Sequence, residues 1–406
     1  MQRIEAAIEC AIKSRKYGAL TTETFGLARS QAKSALQKGL IPFPVVVKDC
    51  FAVANHPMTC ASKMLENYVP PYTATIVQRL INKGGCIIGK GNMDEFCMGT
   101  SSALGHFGPV KNGLTEDVEA DWFIPGGSSG GPAVAVQLGI ADVLVMINGL
   151  GSDTGGSSRN PAAFTGLFGL KPTYGVLSRY GLVPLVNSLD SPSILSKSAK
   201  SCWRYLEIML GIDEKDPTSI HLPASNGSLS MKDLRIGIPK EYHNEFLTED
   251  AWRVWNHAAN VLQRNGATVL PVTLPHTKYS LLCYQVLSAG DIASNMARYS
   301  GIGYGYRSQN ESSTFSFVEI GRRVVDAYSQ GTPTRFSELR RSHYEREDQD
   351  DFYTQPANLA GVPAISVPFG RTSDNLPIGV QLIGNLLQDK LVCDVAQLLY
   401  DAVRES

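Results

Sequence analysis

Between Gly126 and Gly175 the chain is dense in glycine, with serines set among the glycines, and no other stretch restricts the possible fold as much. Glycine permits positive φ and close backbone approach, so such a cluster inside a folded domain points to loops built around a ligand. A flexible linker would share that composition. The apolar segments Val134 to Leu138 and Val143 to Ile147 argue against a linker. On either side, strand-like runs alternate with helical patterns. Phe43 to Val47 reads as a buried strand. Thr75 to Asn82 carries Ile76, Val77, Leu80 and Ile81 on one face and stops at Gly84 and Gly85, as a helix with its C-cap does. Cys86 to Gly89 follows as a short strand. Leu234 to Ile238 predicts a strand ending at Pro239. Ala251, Val254, Trp255, Ala258, Val261 and Leu262 form a helical stripe, and Val269 to Val272 is the next strand. The alternation predicts an α/β fold with a largely buried mixed sheet. No tandem repeat or low-complexity linker divides the 406 residues, so one continuous domain over 1–406 is expected.

Charge and composition narrow the function. The chain is 43% hydrophobic and 18% charged, as soluble globular proteins are. A net charge of −1 and a pI near 6.7 give no broad basic footprint for nucleic acid, although a partner chain could hold RNA. The eight cysteines are scattered, without a C-x-x-C pair, and the seven histidines are dispersed, without H-x-x-x-H. Neither a metal site nor a disulfide framework is expected, and a reducing compartment fits. Met1 to Leu20 has Arg3, Lys13, Arg15 and Lys16, but also Glu5 and Glu9, which are poor company for a transit peptide. The longest apolar stretch, Pro132 to Ile147, contains Gln137 and Asp142 and is too short for a bilayer. A soluble protein without a membrane span is expected.

Three segments carry recognisable chemistry: Pro44-Val-Val-Val-Lys48-Asp49, Pro125-Gly-Gly-Ser128-Ser129-Gly-Gly-Pro132 and Gly151-Ser-Asp-Thr-Gly-Gly-Ser157-Ser-Arg159-Asn-Pro161. A lysine ending an apolar strand usually snorkels to the surface. Buried, it loses its proton more readily and can serve as a base near neutral pH. The Gly-Gly-Ser-Ser-Gly-Gly turn could be an anion nest, but it lacks the Gly-Lys-Ser/Thr ending of a P-loop. Through Gly126, Ser128 and Gly130 it also satisfies G-x-S-x-G, the nucleophile elbow of α/β-hydrolases, with Ser128 as nucleophile. Against the elbow stand Pro125 directly before it and the lack of a histidine in a persuasive setting among His221, His243, His257, His276 and His343.

Taken together, the three segments resemble the amidase signature hydrolases, and the resemblance runs from about Ile41 to the C-terminus. It implies a single amidase-signature domain, an α/β fold whose mixed twisted sheet is covered by helices on both faces. Residues 1–40 would form an N-terminal helical region, 41–200 the catalytic core and 201–406 the remainder. It further implies Lys48 as base, Ser128 as bridging serine with a cis peptide, and Ser157 as nucleophile. Thr154, Gly155 and Gly156, with Ser157, would supply the oxyanion hole through backbone N–H groups. Ser129 would hold the loop by hydrogen bonds at the substrate side. Within the family, Met93-Asp-Glu-Phe-Cys-Met-Gly99, Gly169-Leu-Lys-Pro-Thr-Tyr-Gly175, Leu234-Arg-Ile-Gly-Ile-Pro-Lys-Glu-Tyr242 and Pro356-Ala-Asn-Leu-Ala-Gly-Val-Pro-Ala-Ile-Ser-Val-Pro368 look like the A subunits of glutamyl-tRNA(Gln) amidotransferases. Phe107-Gly-Pro-Val-Lys-Asn112 and Leu185-Val-Asn-Ser-Leu-Asp190 look like their mitochondrial form. Carried over, Gly99 and Ser129 would line the glutamine site. Arg323 would pair with the α-carboxylate of glutamine and Asp351 with its α-ammonium.

This finer resemblance implies a glutaminase that supplies ammonia for converting Glu-tRNA(Gln) to Gln-tRNA(Gln) in the mitochondrial matrix, or otherwise in the cytoplasm. Its partners would be a B subunit together with a small third subunit of C or F type. tRNA, ATP and magnesium would be held by a partner, with no cofactor on this chain. Two further readings stay open: a stand-alone amidase of another small or lipid amide, and a scaffold subunit with impaired chemistry. The chain departs from the family in the 29 residues from Ser128 to Ser157, in Pro132 where serine is commoner, and in a short stretch between Arg323 and Asp351.

Overall fold

In the computed structural model, residues 1–140, 148–224, 230–245, 247–299, 335 and 352–404 are described. Arg323, Asp351 and the apolar run 143–147 lie outside them.

The first half of the chain is built on three strands that share a direction. β2 (Phe43–Lys48) pairs in parallel with β3 (Gly85–Gly91) on one side and with β4 (Asn148–Asp153) on the other. Parallel neighbours need crossovers, and α3 (Thr75–Asn82) lies on the one between β2 and β3. β1 (Leu20–Glu23) adds antiparallel to β3 at one edge. Beyond β4 the pairing turns antiparallel through β6 (Ser191–Ser196), β5 (Phe168–Lys171), β9 (Ala364–Arg371) and β10 (Pro377–Ile383). The result is an eight-stranded mixed sheet in the order β1-β3-β2-β4-β6-β5-β9-β10.

The two-residue period of a strand decides what each face meets. Val45, Val47 and Ile87 point into a core shared with Ile76, Val77 and Leu80 of α3. The same core takes Cys202, Tyr205 and Leu206 of α6 (Ala199–Met209). Val46, Cys86 and Ile88 point the other way. They meet Ile4, Ala7 and Ile8 of α1 (Gln2–Lys13), Ala28 and Ala32 of α2 (Phe25–Gln37), and Val134 of α4 (Gly130–Gln137). Helices therefore cover both faces, as expected. Each such valine or isoleucine contributes about 1.5–3 kcal/mol on burial. That two-sided burial is why β2 reads as a continuous apolar run rather than an alternation.

The predicted elements fall where the patterns placed them: α3 on the same residues, and β7 (Arg235–Pro239) and β8 (Thr268–Val272) within a residue of their predicted spans. α7 (Glu249–Arg264) contains the predicted stripe and begins at Thr248, whose side chain accepts from Ala251 N as an N-cap. β7 and β8 form a separate parallel pair. α7 packs over them and against β9, β10 and α10 (Asp389–Arg404). α5 (Arg159–Thr165), α8 (Ser280–Met296) and α9 (Gln355–Leu359) complete the helices the next section uses. Among the described residues no helix is long and apolar enough to cross a membrane, and no cluster of metal-ligating side chains occurs.

Candidate active site

The parallel strands β2, β3 and β4 end on one side of the sheet, and ligands of open α/β sheets bind outside such carboxyl ends. Lys48 is the last residue of β2 and is fully buried. It reaches the glycine-rich loops because α4 docks its first turn directly on the sheet. A Cβ at Gly91 or Gly149 would meet Pro132 at 2.7 or 2.9 Å, so glycine at both lets α4 approach. Pro132 itself sits in the first turn of α4, where a missing N–H costs no helical hydrogen bond. That accommodates the departure from serine there.

Lys48 Nζ donates to Ser128 Oγ at 2.7 Å, to Ser129 Oγ at 2.9 Å and to Ser152 Oγ at 2.9 Å. All four residues are buried. The Gly127–Ser128 peptide is cis, as the resemblance implied. The loop carrying Ser157 is tied to the loop carrying Ser128, because Ser129 N donates to Ser157 O at 3.0 Å. Ser157 is 5% exposed, and its Oγ bonds no described residue. Ser129, expected at the substrate side, instead faces the lysine and the Ser152 carbonyl, to which its hydroxyl donates at 3.2 Å. Gly99 packs on Asp94, whose Cγ lies 2.5 Å from where a Cβ would stand.

The Thr154 to Ser157 loop is held by a buried ion pair that the motif contains but sequence reasoning left without a role. Arg159 Nη2 donates to Asp153 Oδ1 at 2.9 Å and Arg159 Nε to Asp153 Oδ2 at 3.0 Å, both side chains being buried. Burial alone would raise the Asp153 pKa; the Arg159 charge and its hydrogen bonds, with Lys171 and Asn358, instead hold it well below the usual carboxylate range. Arg159 also donates to Thr354 O at 2.9 Å, to Gln381 Oε1 at 2.6 Å and to Asn358 Oδ1. The C-terminal third thereby clamps the serine loop. None of these three long-range partners is legible from spacing, since Asn358, for one, is 199 residues away.

Asp153 Oδ1 also accepts from Gly156 N at 2.9 Å. This corrects one expectation: the Gly156 N–H is committed to holding the loop and is not a free oxyanion donor. The N–H groups of Gly155 and Ser157 bond no described residue and stay available. Thr154 hydrogen-bonds Asp190 through its hydroxyl at 2.7 Å. A Cβ at Gly155 would stand 2.8 Å from the Tyr284 ring, and Thr354 Oγ1 donates to Gly155 O at 2.6 Å. Gly155→Ala should therefore push the loop off Tyr284 and lower kcat/KM by about 10²-fold, the scale of one lost oxyanion donor, with little change in melting temperature. An unchanged kcat/KM would remove the loop from the chemistry.

Asp94 is the second group the sequence did not flag. It is buried, Oδ2 accepts from Ser102 N at 2.9 Å, and Oδ1 has no partner among the described residues. Burial pushes its carboxyl up to about 7 against the opposing N–H donors and the Lys48 charge. A folded-state pKa above the unfolded one means the native state holds the proton longer, so stability declines as pH rises from about 4 to 7. Asp94→Asn removes that decline. Melting curves should show the Asn variant gaining on the parent through this window, by up to about 4 kcal/mol, and no further above it. Parallel curves at all pH values would refute it.

The profile of the amidase family matches residues 2–330 and 327–393. The A subunit of the mitochondrial glutamyl-tRNA(Gln) amidotransferase of Pediculus humanus subsp. corporis is 40% identical, over 89% of this chain and 84% of that one. That of Bos taurus is 39% identical, over 87% and 80%. Among solved structures, the A subunit of glutamyl-tRNA(Gln) amidotransferase from Thermotoga maritima superposes with a TM-score of 0.77 at 29% identity, covering 97% of this chain and 90% of that one. The native peptide amidase of Stenotrophomonas maltophilia, at 21% identity and a TM-score of 0.79 over 99% and 93%, shares the fold. The chain belongs to the amidase family of enzymes, in the branch that holds the glutamyl-tRNA(Gln) amidotransferase A subunits.

Proposed function

We propose that this chain hydrolyses glutamine as the glutaminase subunit of a tRNA-dependent amidotransferase, with Ser157 as nucleophile, Ser128 as bridging serine and Lys48 as base. The observation that carries the reading is the buried contact of Lys48 Nζ with Ser128 Oγ at 2.7 Å, beside a serine loop whose Gly155 and Ser157 amides are unengaged by described residues. Lys48 takes the proton of Ser128, Ser128 takes that of Ser157, and Ser157 Oγ attacks the amide carbon. The Gly155 and Ser157 N–H groups, with that of Thr154, receive the developing oxyanion. The proton then returns to the leaving nitrogen, ammonia departs, and water hydrolyses the acyl-serine by the same route.

The ammonia passes to a B subunit that holds ATP, magnesium and Glu-tRNA(Gln), with a small third subunit completing a mitochondrial assembly. The net charge of −1 fits a chain that leaves RNA and phosphate to its partners. Arg323 and Asp351 would hold the two charged ends of glutamine, which a simple amide lacks. The deciding experiment assays hydrolysis of glutamine, asparagine and a fatty amide, with and without the partner subunits. Glutamine turnover that is weak alone and stimulated by partners bound to ATP and tRNA is expected. Preference for another amide, independent of partners, would make this a stand-alone amidase.

A further inference from the structure

Six of the eight cysteines are buried, and several of those are inert by their surroundings. Burial pushes the Cys202 thiol above the range in which thiolates form, and Cys393 beside it likewise. Cys86 is pushed up to about 11 by burial. Cys50 and Cys97 differ in what they touch. Cys50 lies two residues beyond Lys48, and Cys97 sits in the Asp94 to Gly99 turn with a left-handed φ of 65°. From these separate segments both thiols converge on one atom, Ser152 Oγ, at 3.9 and 3.6 Å. That same oxygen accepts the hydrogen bond from Lys48 Nζ at 2.9 Å. The proposed relay does not use either sulfur.

The neighbouring Cys50 side chain lowers the Cys97 pKa, against burial and with help from the Lys48 charge and Ser152. Burial drives Cys50 the other way. Two thiols held beside one oxygen, one of them shifted toward its thiolate, are the arrangement in which a first oxidation is resolved into a disulfide. Cys97 is 6% exposed, close to the 5% of Ser157.

We propose that Cys97 and Cys50 form a peroxide-oxidisable site whose disulfide switches off the adjoining Lys48–Ser128 pair. The Cys97 thiolate attacks hydrogen peroxide, giving Cys97 sulfenic acid and hydroxide. The Cys50 sulfur then displaces the sulfenic oxygen as water, so the two thiols lose two hydrogens and one peroxide becomes two waters. A disulfide requires the sulfurs about 2 Å apart, so forming it draws the Cys50 and Cys97 side chains together beside Ser152 Oγ. Because Cys50 follows Lys48 by two residues, the strand end carrying Lys48 moves with it. The lysine makes three hydrogen bonds between 2.7 and 2.9 Å, and displacement of its anchor breaks that geometry. Dithiol reductants reverse the change.

The loss of activity rests on Lys48 acting as base, whereas formation of the bond does not. The test therefore reads both. The full chain carrying Cys283→Ser, which removes the exposed thiol, is treated with hydrogen peroxide at neutral pH and digested for mass spectrometry. Joined peptides containing Cys50 and Cys97 are expected, with amide hydrolysis down about 10-fold or more and restored by dithiothreitol. In a Cys50→Ser variant, dimedone should label Cys97 and no joined peptide should form. Absence of both the joined peptide and the dimedone adduct would overturn the site, whatever the activity. A joined peptide with undiminished hydrolysis would overturn the switch. Inactivation of equal extent in Cys97→Ser would also overturn it, since the damage would then lie elsewhere.

Discussion

Replacing Ser157 by Ala should abolish amide hydrolysis, lowering kcat by about 10⁴- to 10⁶-fold, while the melting temperature stays within a few degrees of the parent. The two halves of that expectation have separate grounds. Ser157 Oγ bonds no described residue, so its removal unpairs nothing among the described residues. The groups that hold the loop are elsewhere: the Asp153–Arg159 pair, the Ser129 N to Ser157 O bond, which alanine retains, and Thr354 against Gly155. The loop should therefore keep its shape and lose only its nucleophile. Electrophiles that trap serines should label Ser157 and lose their target in the variant. Near-normal turnover by Ser157→Ala would end the assignment. Labelling of Ser128 instead would restore the nucleophile-elbow reading that Gly126, Ser128 and Gly130 allow.

What the sequence disclosed and what it hid follow from the range of the interactions. β2 and α3 were legible because their patterns are local: an unbroken run of valines for a strand buried on both faces, and a 3.6-residue stripe closed by glycines. The glycine-dense loops were legible because close approach demands glycine, as at Gly127, where a Cβ would run into Asp94 Oδ2. The antiparallel half of the sheet was not. β9 pairs with β5 across some 200 residues of chain, with β10 beyond it on β9, and nothing in Ala364–Arg371 names its partner. The same holds for the clamp: Asp153 and Arg159 stand six residues apart in a quoted motif, but their roles depend on Asn358 and Gln381. Asp94 was invisible for a further reason, since burial sets its acidity and burial belongs to the fold. The oxyanion loop was misread at Gly156 alone, where a side chain three residues earlier already takes the N–H.

Lys48 and Ser128 should fail together. Lys48→Met keeps most of the side-chain volume and removes the amine; Ser128→Ala removes the hydroxyl it meets at 2.7 Å. Each single change is expected to lower kcat by about 10³-fold or more, and the double variant by little beyond the worse of the two. The reason is that a proton path is broken as completely by one missing link as by two. Ser129 and Ser152 give the comparison that isolates the relay, because both also accept from Lys48 Nζ at 2.9 Å. If the lysine were merely packing against hydroxyls, losing any one of the three would matter equally. If Ser128 alone passes the proton, Ser152→Ala should cost far less than Ser128→Ala and should add to it in a double variant. Single-turnover measurement of acylation resolves the cycle without interference from deacylation. Effects of Lys48→Met and Ser128→Ala that multiply would show two independent contributions, and the lysine would then position the loop rather than receive its proton.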